Sequence, residues 1–165
     1  MTRCKRVISG FTLVELVVVI VIIGILAAIA IPRLSRGSAG ASSAALAMNL
    51  ATVRNAINLY AAEHNNIFPG PDAVGFTDKL TKYSSLSGAI SATKDATYKF
   101  GPYLAAIPPC PVGENAGSAT VLVVATSPPT PNTVGGEGWA YNATTGEFVA
   151  NTTQPDDTGK QYNKY

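Results

Sequence analysis

The chain is 165 residues long, 47% hydrophobic and only 13% charged, with 12 Lys+Arg against 10 Asp+Glu and a formal net charge of +2. Globular chains typically carry about 25% charged residues, so this composition excludes a charge-rich disordered chain. Arg3, Lys5 and Arg6 concentrate basic charge at the extreme N-terminus; the remainder is near neutral and carries no basic stripe, which argues against nucleic-acid binding.

The apolar excess is concentrated in one place. Phe11 to Ile31 is a run of 21 residues in which only Thr12, Glu15 and Gly24 are not plainly apolar. As a helix it spans about 31 Å, close to the ~30 Å hydrocarbon core of a bilayer. Helix is the only single-span form that satisfies its own backbone in lipid. Three readings fit this segment: a plain membrane anchor, a secretory signal cut after Ala28-Ile29-Ala30, or a chain cut between Gly10 and Phe11. Glu15 discriminates between them. A carboxylate in an apolar span is costly unless paired, and a cut after Gly10 creates an α-ammonium on Phe11, one helical turn away.

The string Gly10-Phe11-Thr12-Leu13-Val14-Glu15, the run through Ile31 and the following Pro32 resemble the N-terminus of type IV pilin-like proteins, which include type IV pilins and type II secretion pseudopilins. The resemblance implies removal of residues 1–10 by prepilin peptidase and N-methylation of Phe11. It also implies storage in the bacterial inner membrane with the globular part in the periplasm. Assembly into a filament follows, with Glu15 setting register against the amine of a neighbouring subunit. The implied partners are further copies of the chain, the peptidase, an inner-membrane assembly platform and other pseudopilins.

Pro32 lacks a backbone donor and predicts a kink or local melting of the helix. Gly37, Ser38, Gly40, Ser42 and Ser43 predict weak helix between about 35 and 43. From Ala44 the helical signal returns, with Leu46, Leu50, Val53, Ile57 and Tyr60 on one face and a stop near His64-Asn65-Asn66. Ala56-Ile57-Asn58-Leu59-Tyr60 followed by Phe68-Pro69 resembles the helix end of type II secretion major pseudopilins. Beyond it a short helix is expected over Thr77–Ser85, with Leu80 and Tyr83 docking. A strand is expected over Thr120–Thr126, and a hairpin in which Trp139-Ala140-Tyr141 and Glu147-Phe148-Val149 flank a turn containing Gly146. Trp139, Tyr141 and Phe148 are expected in the core. Gly138-Trp139-Ala140-Tyr141-Asn142 and Thr145-Gly146-Glu147 also resemble the secretion-type pseudopilins.

The expected fold is therefore α+β: a long N-terminal helix, membrane-spanning in its first half and amphipathic in its second, packed against a small antiparallel sheet head. The expected divisions are a leader over 1–10, a filament-core helix over 11–31, a stalk over 32–65 and a periplasmic head with a polar tail over 66–165.

Chemistry is sparse. Cys4 leaves with the leader, and Cys110 between Pro109 and Pro111 reads as a buried, inert thiol. His64 is the single histidine and reads as an exposed residue near a helix end. No phosphate loop or spaced ligand cluster appears, so no enzyme activity, catalytic residue or metal is expected. Calcium, a property of the resembled major pseudopilins, is left as a lesser alternative to no cofactor: the long loop offers only Glu137, Asp156-Asp157 lie in the tail, and the family's Asp-Pro-Trp-Gly phrase is missing. Asn142-Ala143-Thr144 and Asn151-Thr152-Thr153 match the glycosylation pattern, read as incidental. The expected function is a structural subunit of a type II secretion pseudopilin filament, which drives proteins across the outer membrane. The alternatives are a type IV or DNA-uptake pilin and an exported soluble binding protein cut after Ala30.

Overall fold

The computed structural model describes residues 11–71 and 73–165, with side chains for all of these except 30–37 and 73. The proposed cut at Gly10 and the leader lie outside the described residues. The chain divides into two compact units, Met1–Ser38 and Ala39–Tyr165, and helix α1 (Leu13–Glu63) contributes to each. Its helical backbone continues through Pro32 and through the Gly- and Ser-containing stretch after it, where weak helix was expected. Intrinsic propensity is a weak prior. Here Ala39, Ala41, Ala44 and Ala45 dilute the glycines, and the Ser43 hydroxyl donates back to the Ala39 carbonyl at 3.1 Å.

In the second unit, the steps of three and four between Leu46, Leu50, Val53, Ile57 and Tyr60 put all five on one side of α1, each no more than 2% exposed. Burying a side chain of this size is worth about 1.5–3 kcal/mol, so this stripe organises the rest of the unit. The helix stops where Asn65 and Asn66 adopt positive φ, 57° and 60°. The Asn66 amide turns back to the Ala61 carbonyl at 2.8 Å, the left-handed ending that Asn tolerates better than most residues.

The chain then forms α2 (Ala73–Thr81), which starts four residues earlier than expected. Phe76 and Leu80, one turn apart, are fully buried. Strands β1 (Tyr83–Ser84) and β2 (Ile90–Ser91) pair antiparallel. Neither was anticipated, because two-residue strands leave no periodicity to read. A three-stranded sheet in the order β3-β4-β5 completes the fold, formed by Val121–Val123, Trp139–Tyr141 and Phe148–Ala150. β4 and β5 form the expected hairpin, with Tyr141 opposite Phe148. β3 runs parallel to β4, so the sheet is mixed rather than purely antiparallel. A parallel neighbour requires a long crossover, and the Pro- and Gly-rich segment from Ser127 to Gly138 supplies it.

Trp139, Tyr141 and Phe148 are buried as expected, and their polar atoms find partners. The Trp139 indole donates to the Pro108 carbonyl at 2.8 Å and the Tyr141 hydroxyl to the Pro69 carbonyl at 2.9 Å. The hairpin turn needs Gly146 twice over: its φ is 74°, and a Cβ there would collide with the Phe68 ring. Arg54 ties α1 to the sheet, donating from Nε to the Phe148 carbonyl and from Nη2 to the main-chain oxygen of Tyr165, each at 3.0 Å.

The polar tail is organised around Asp156. One oxygen of Asp156 accepts from Thr158 N, Thr158 Oγ1 and Lys160 N, and the other accepts from the Tyr165 hydroxyl. These bonds, that from Tyr165 foremost, hold its carboxyl well below the usual carboxylate range. A cluster of short local bonds orders a segment that has too few apolar residues to announce itself.

The stripe on α1 gives a direct test. Ile57→Ala should destabilise the protein by about 2–5 kcal/mol in denaturant unfolding, whereas Met48→Ala, on the outer face at 70% exposed, should shift it by no more than about 0.5 kcal/mol.

Candidate assembly site at the head of the N-terminal helix

The first turns of α1 expose what a soluble chain buries. Phe11, Leu13, Val14 and every Leu, Val and Ile from Leu16 to Ile29 are at least 43% exposed. Apolar residues occupy all sides of this helix rather than one stripe, the pattern of a helix destined for burial in something else. Among the described residues, no helix is long and apolar enough to cross a membrane. The described side chains of the run end at Ile29, short of its last residue in the sequence.

Glu15 has a local partner. The Thr12 amide donates to Glu15 Oε2 at 2.9 Å, the Thr12 hydroxyl donates to the same oxygen at 2.7 Å, and the Glu15 amide donates to Thr12 Oγ1 at 3.3 Å. Thr12 precedes the first helical residue and Glu15 is the third within the helix, so the two residues form a reciprocal capping box. Glu15 therefore has a hydrogen-bond partner within its own chain. Within a single chain Thr12 already satisfies one of its oxygens, and the carboxylate also complements the positive end of the helix dipole. The spacing Thr-x-x-Glu at a helix start was the signal that sequence reasoning passed over. Among the described residues no ion pair to Glu15 is seen, and Gly10 and the side chain of Pro32 lie outside the described residues.

Away from the helix head, the remaining sequence candidates separate clearly. His64 is 2% exposed, not a surface residue: Asn65 and Asn66 turn the chain so that its ring lies flat on Tyr60, with centroids 3.8 Å apart. Cys110 is buried, and burial pushes its thiol up, which suppresses the reactive thiolate. Asn142 and Asn151, the two glycosylation-pattern asparagines, are each 1% exposed. Asn142 donates to the Thr126 carbonyl at 2.8 Å and accepts from the Thr144 and Thr145 amides. Both are structural residues with no side chain to offer.

The long loop where calcium was considered is held by amides. Asn151 Nδ2 donates to the Asn132 and Glu137 carbonyls at 2.7 and 2.8 Å, and Asn151 Oδ1 accepts from the Asn132 amide at 2.7 Å. Asn115 Nδ2 donates to the Thr133 and Glu137 carbonyls at 3.2 and 3.0 Å. Main-chain oxygens that could serve a hard cation are thus already engaged by N–H donors. Among the described residues, no three His, Cys, Asp or Glu side chains gather as a metal site.

The prokaryotic N-terminal methylation motif matches residues 5–31, the segment containing the capping box and the apolar run. Comparison with curated proteins and with solved structures found no match. The motif, together with a long N-terminal helix leading into an α+β head, supports a type IV pilin-like subunit: a structural protein processed by prepilin peptidase and assembled into a filament.

The amide clamp predicts that Asn151→Ala costs about 1–3 kcal/mol, because three part-buried hydrogen bonds, to the Asn132 amide and to the Asn132 and Glu137 carbonyls, are lost together. Limited proteolysis should then cut the loop between Ser127 and Gly138 faster than in the unaltered protein.

Proposed function

We propose that the chain is a type II secretion pseudopilin, stored in the inner membrane with its head in the periplasm and assembled into a short filament that drives proteins across the outer membrane. The observation that carries the pilin-like part is the methylation motif over residues 5–31, set on a helix whose apolar residues are exposed on every side. The pseudopilin part is supported by the Gly138–Asn142 and Thr145–Glu147 phrases, which form the first strand and the turn of the β4–β5 hairpin.

In this reading prepilin peptidase cuts between Gly10 and Phe11, and Phe11 is N-methylated. The run from Phe11 to Ile31 matches a bilayer in length and later becomes filament core, covered by the same run of other subunits. Glu15 changes partners on assembly. In the stored subunit the Thr12 cap holds the carboxylate; in the filament the new amine of a neighbour offers a partner of full opposite charge, adding an ion pair to what the cap alone provides. Pro32 lets the helix bend between these states. A surface-fibre pilin is the second reading, favoured by the amide-held loop at the place where major pseudopilins bind calcium.

The intact mass and N-terminal sequence of protein recovered from its native membrane test the proposal. The expected chain begins at methylated Phe11; a chain beginning at Ile31 overturns the filament mechanism. Glu15→Ala is expected to remain membrane-bound and correctly cut while filament yield falls at least ~10-fold, the effect of losing about 1.4 kcal/mol per contact. Loss of secretion in a deletion strain, with surface fibres unaffected, separates pseudopilin from pilin.

A further inference from the structure

The head carries its charge unevenly. Across residues 74–100 four lysines stand against Asp78 and Asp95, whereas residues 101–159 hold five acids and no Lys or Arg. In the basic part, Lys82 pairs with Asp78 at 2.8 Å, and Asp95 Oδ1 accepts from the Thr97 and Tyr98 amides at 2.7 Å. Lys94 and Lys99 are exposed and, among the described residues, form no ion pair. Lys99 edges a cleft of about 520 Å³ whose lining includes Asn65, Leu86 and Ala96, and Leu86 is 53% exposed within it. Asn65 places this cleft at the far end of α1.

The long loop presents the opposite pattern. Val134 is 94% exposed, although the loop that carries it is tied down: Asn115 Nδ2 holds both the Thr133 and the Glu137 carbonyls, and the Val134 amide donates to Asn132 Oδ1 at 3.2 Å. The Glu137 carboxylate folds over Gly135, where a Cβ would collide with it, and Glu114 precedes Asn115 in the chain. An apolar knob therefore stands beside two carboxylates that form no ion pair among the described residues. The loop ends at Gly138, where a Cβ would collide with Cys110. Asn49 on α1 donates to the neighbouring Pro109 carbonyl at 3.1 Å. The base of the loop is thus level with Asn49, and the cleft lies about 20 Å further along α1.

We propose, resting on the filament reading above, that successive copies of the chain join head to tail along α1. Val134 of one copy seats in the Leu86 cleft of the next, with Glu137 meeting Lys99 and Glu114 meeting Lys94. A lone exposed valine is ordinary on a protein surface; what selects its seat is the charge, acidic around the knob and basic around the cleft. Because knob and cleft are different patches, the contact is heterologous: each junction leaves a free knob at one end and a free cleft at the other, so copies add without closing. Exposed ion pairs contribute little cohesion, so these charges fix orientation and reject other registers, while the apolar burial holds the junction.

Filament yield from cells making the full-length chain tests the contact. Glu137→Lys and Lys99→Glu each set like charges against one another and should each cut the yield by ~5-fold or more, with subunit level and thermal midpoint unchanged. Combined in one chain, the two exchanges should return the yield to within ~2-fold of the unaltered protein. Leu86→Cys/Val134→Cys, treated with a short thiol-specific cross-linker, should give a ladder of covalent multimers, and neither single cysteine should give dimers. Single reversals that leave the yield unchanged overturn the contact while the filament reading stands, as does a double-cysteine chain that stays monomeric. Dimers from one single-cysteine chain overturn the head-to-tail arrangement in favour of a symmetric pair. An unaltered chain that is processed but forms no filament overturns the filament reading, and this contact with it.

Discussion

The second unit depends on one requirement: the stripe Leu46, Leu50, Val53, Ile57 and Tyr60 has to be removed from water. A single helix cannot bury its own face, and a chain with ten prolines beyond Pro32 builds no second long helix to cover it. The cover is assembled from short pieces: one two-turn helix, two small sheets and several extended loops. Their side chains, chiefly Phe76, Leu80, Trp139, Tyr141 and Phe148, join the stripe in one core. Because the pieces are short, their backbone polar groups are met by side chains. Trp139, Tyr141, Arg54, Asn115, Asn142 and Asn151 each donate to a distant carbonyl, work that ladders perform in a larger sheet.

The same helix obeys two different rules along its length. Past Ala44 it is amphipathic and finds its partner within the chain. From Leu13 to Ile29 it is apolar on every side, and its Leu, Val and Ile side chains are exposed. The capping box at Thr12 and Glu15 belongs to this logic. A carboxylate at a helix start is stabilised by the dipole and by the cap, so the chain carries a charge at the edge of its most apolar segment without exposing an unpaired group. The methylation motif over residues 5–31 and the capping box coincide in the same few residues.

Much of this was legible in the sequence, and what was not has identifiable causes. The stripe on α1, its stop near Asn65-Asn66, the hairpin around Gly146 and the buried Trp139, Tyr141 and Phe148 all follow from local periodicity and turn chemistry, so they could be read. The strand pair β1–β2, the parallel pairing of β3 with β4, the organisation of the tail around Asp156 and the burial of His64 could not. Each depends on contacts between residues far apart in the chain or on strands too short to show a period. His64 illustrates the difference. Its neighbours Asn65 and Asn66 announce a helix end, where a histidine is ordinarily exposed. What buries it is Ser84 and Phe100, brought up by a strand pair with no periodic signature.

The sequence by itself determined that this is a helix-led protein with an apolar N-terminal run, an N-terminal methylation motif and an amphipathic stripe, because those properties are encoded in consecutive residues and in steps of three and four. Only the tertiary structure decided what the polar residues do. Asn115, Asn142 and Asn151 become clamps on loop carbonyls, His64 is buried between the Tyr60 carbonyl and the Ser84 hydroxyl, and Glu15 acquires a partner in Thr12. A polar side chain carries no periodic signature of its own; its role is set by whichever donor or acceptor the fold leaves within about 3 Å.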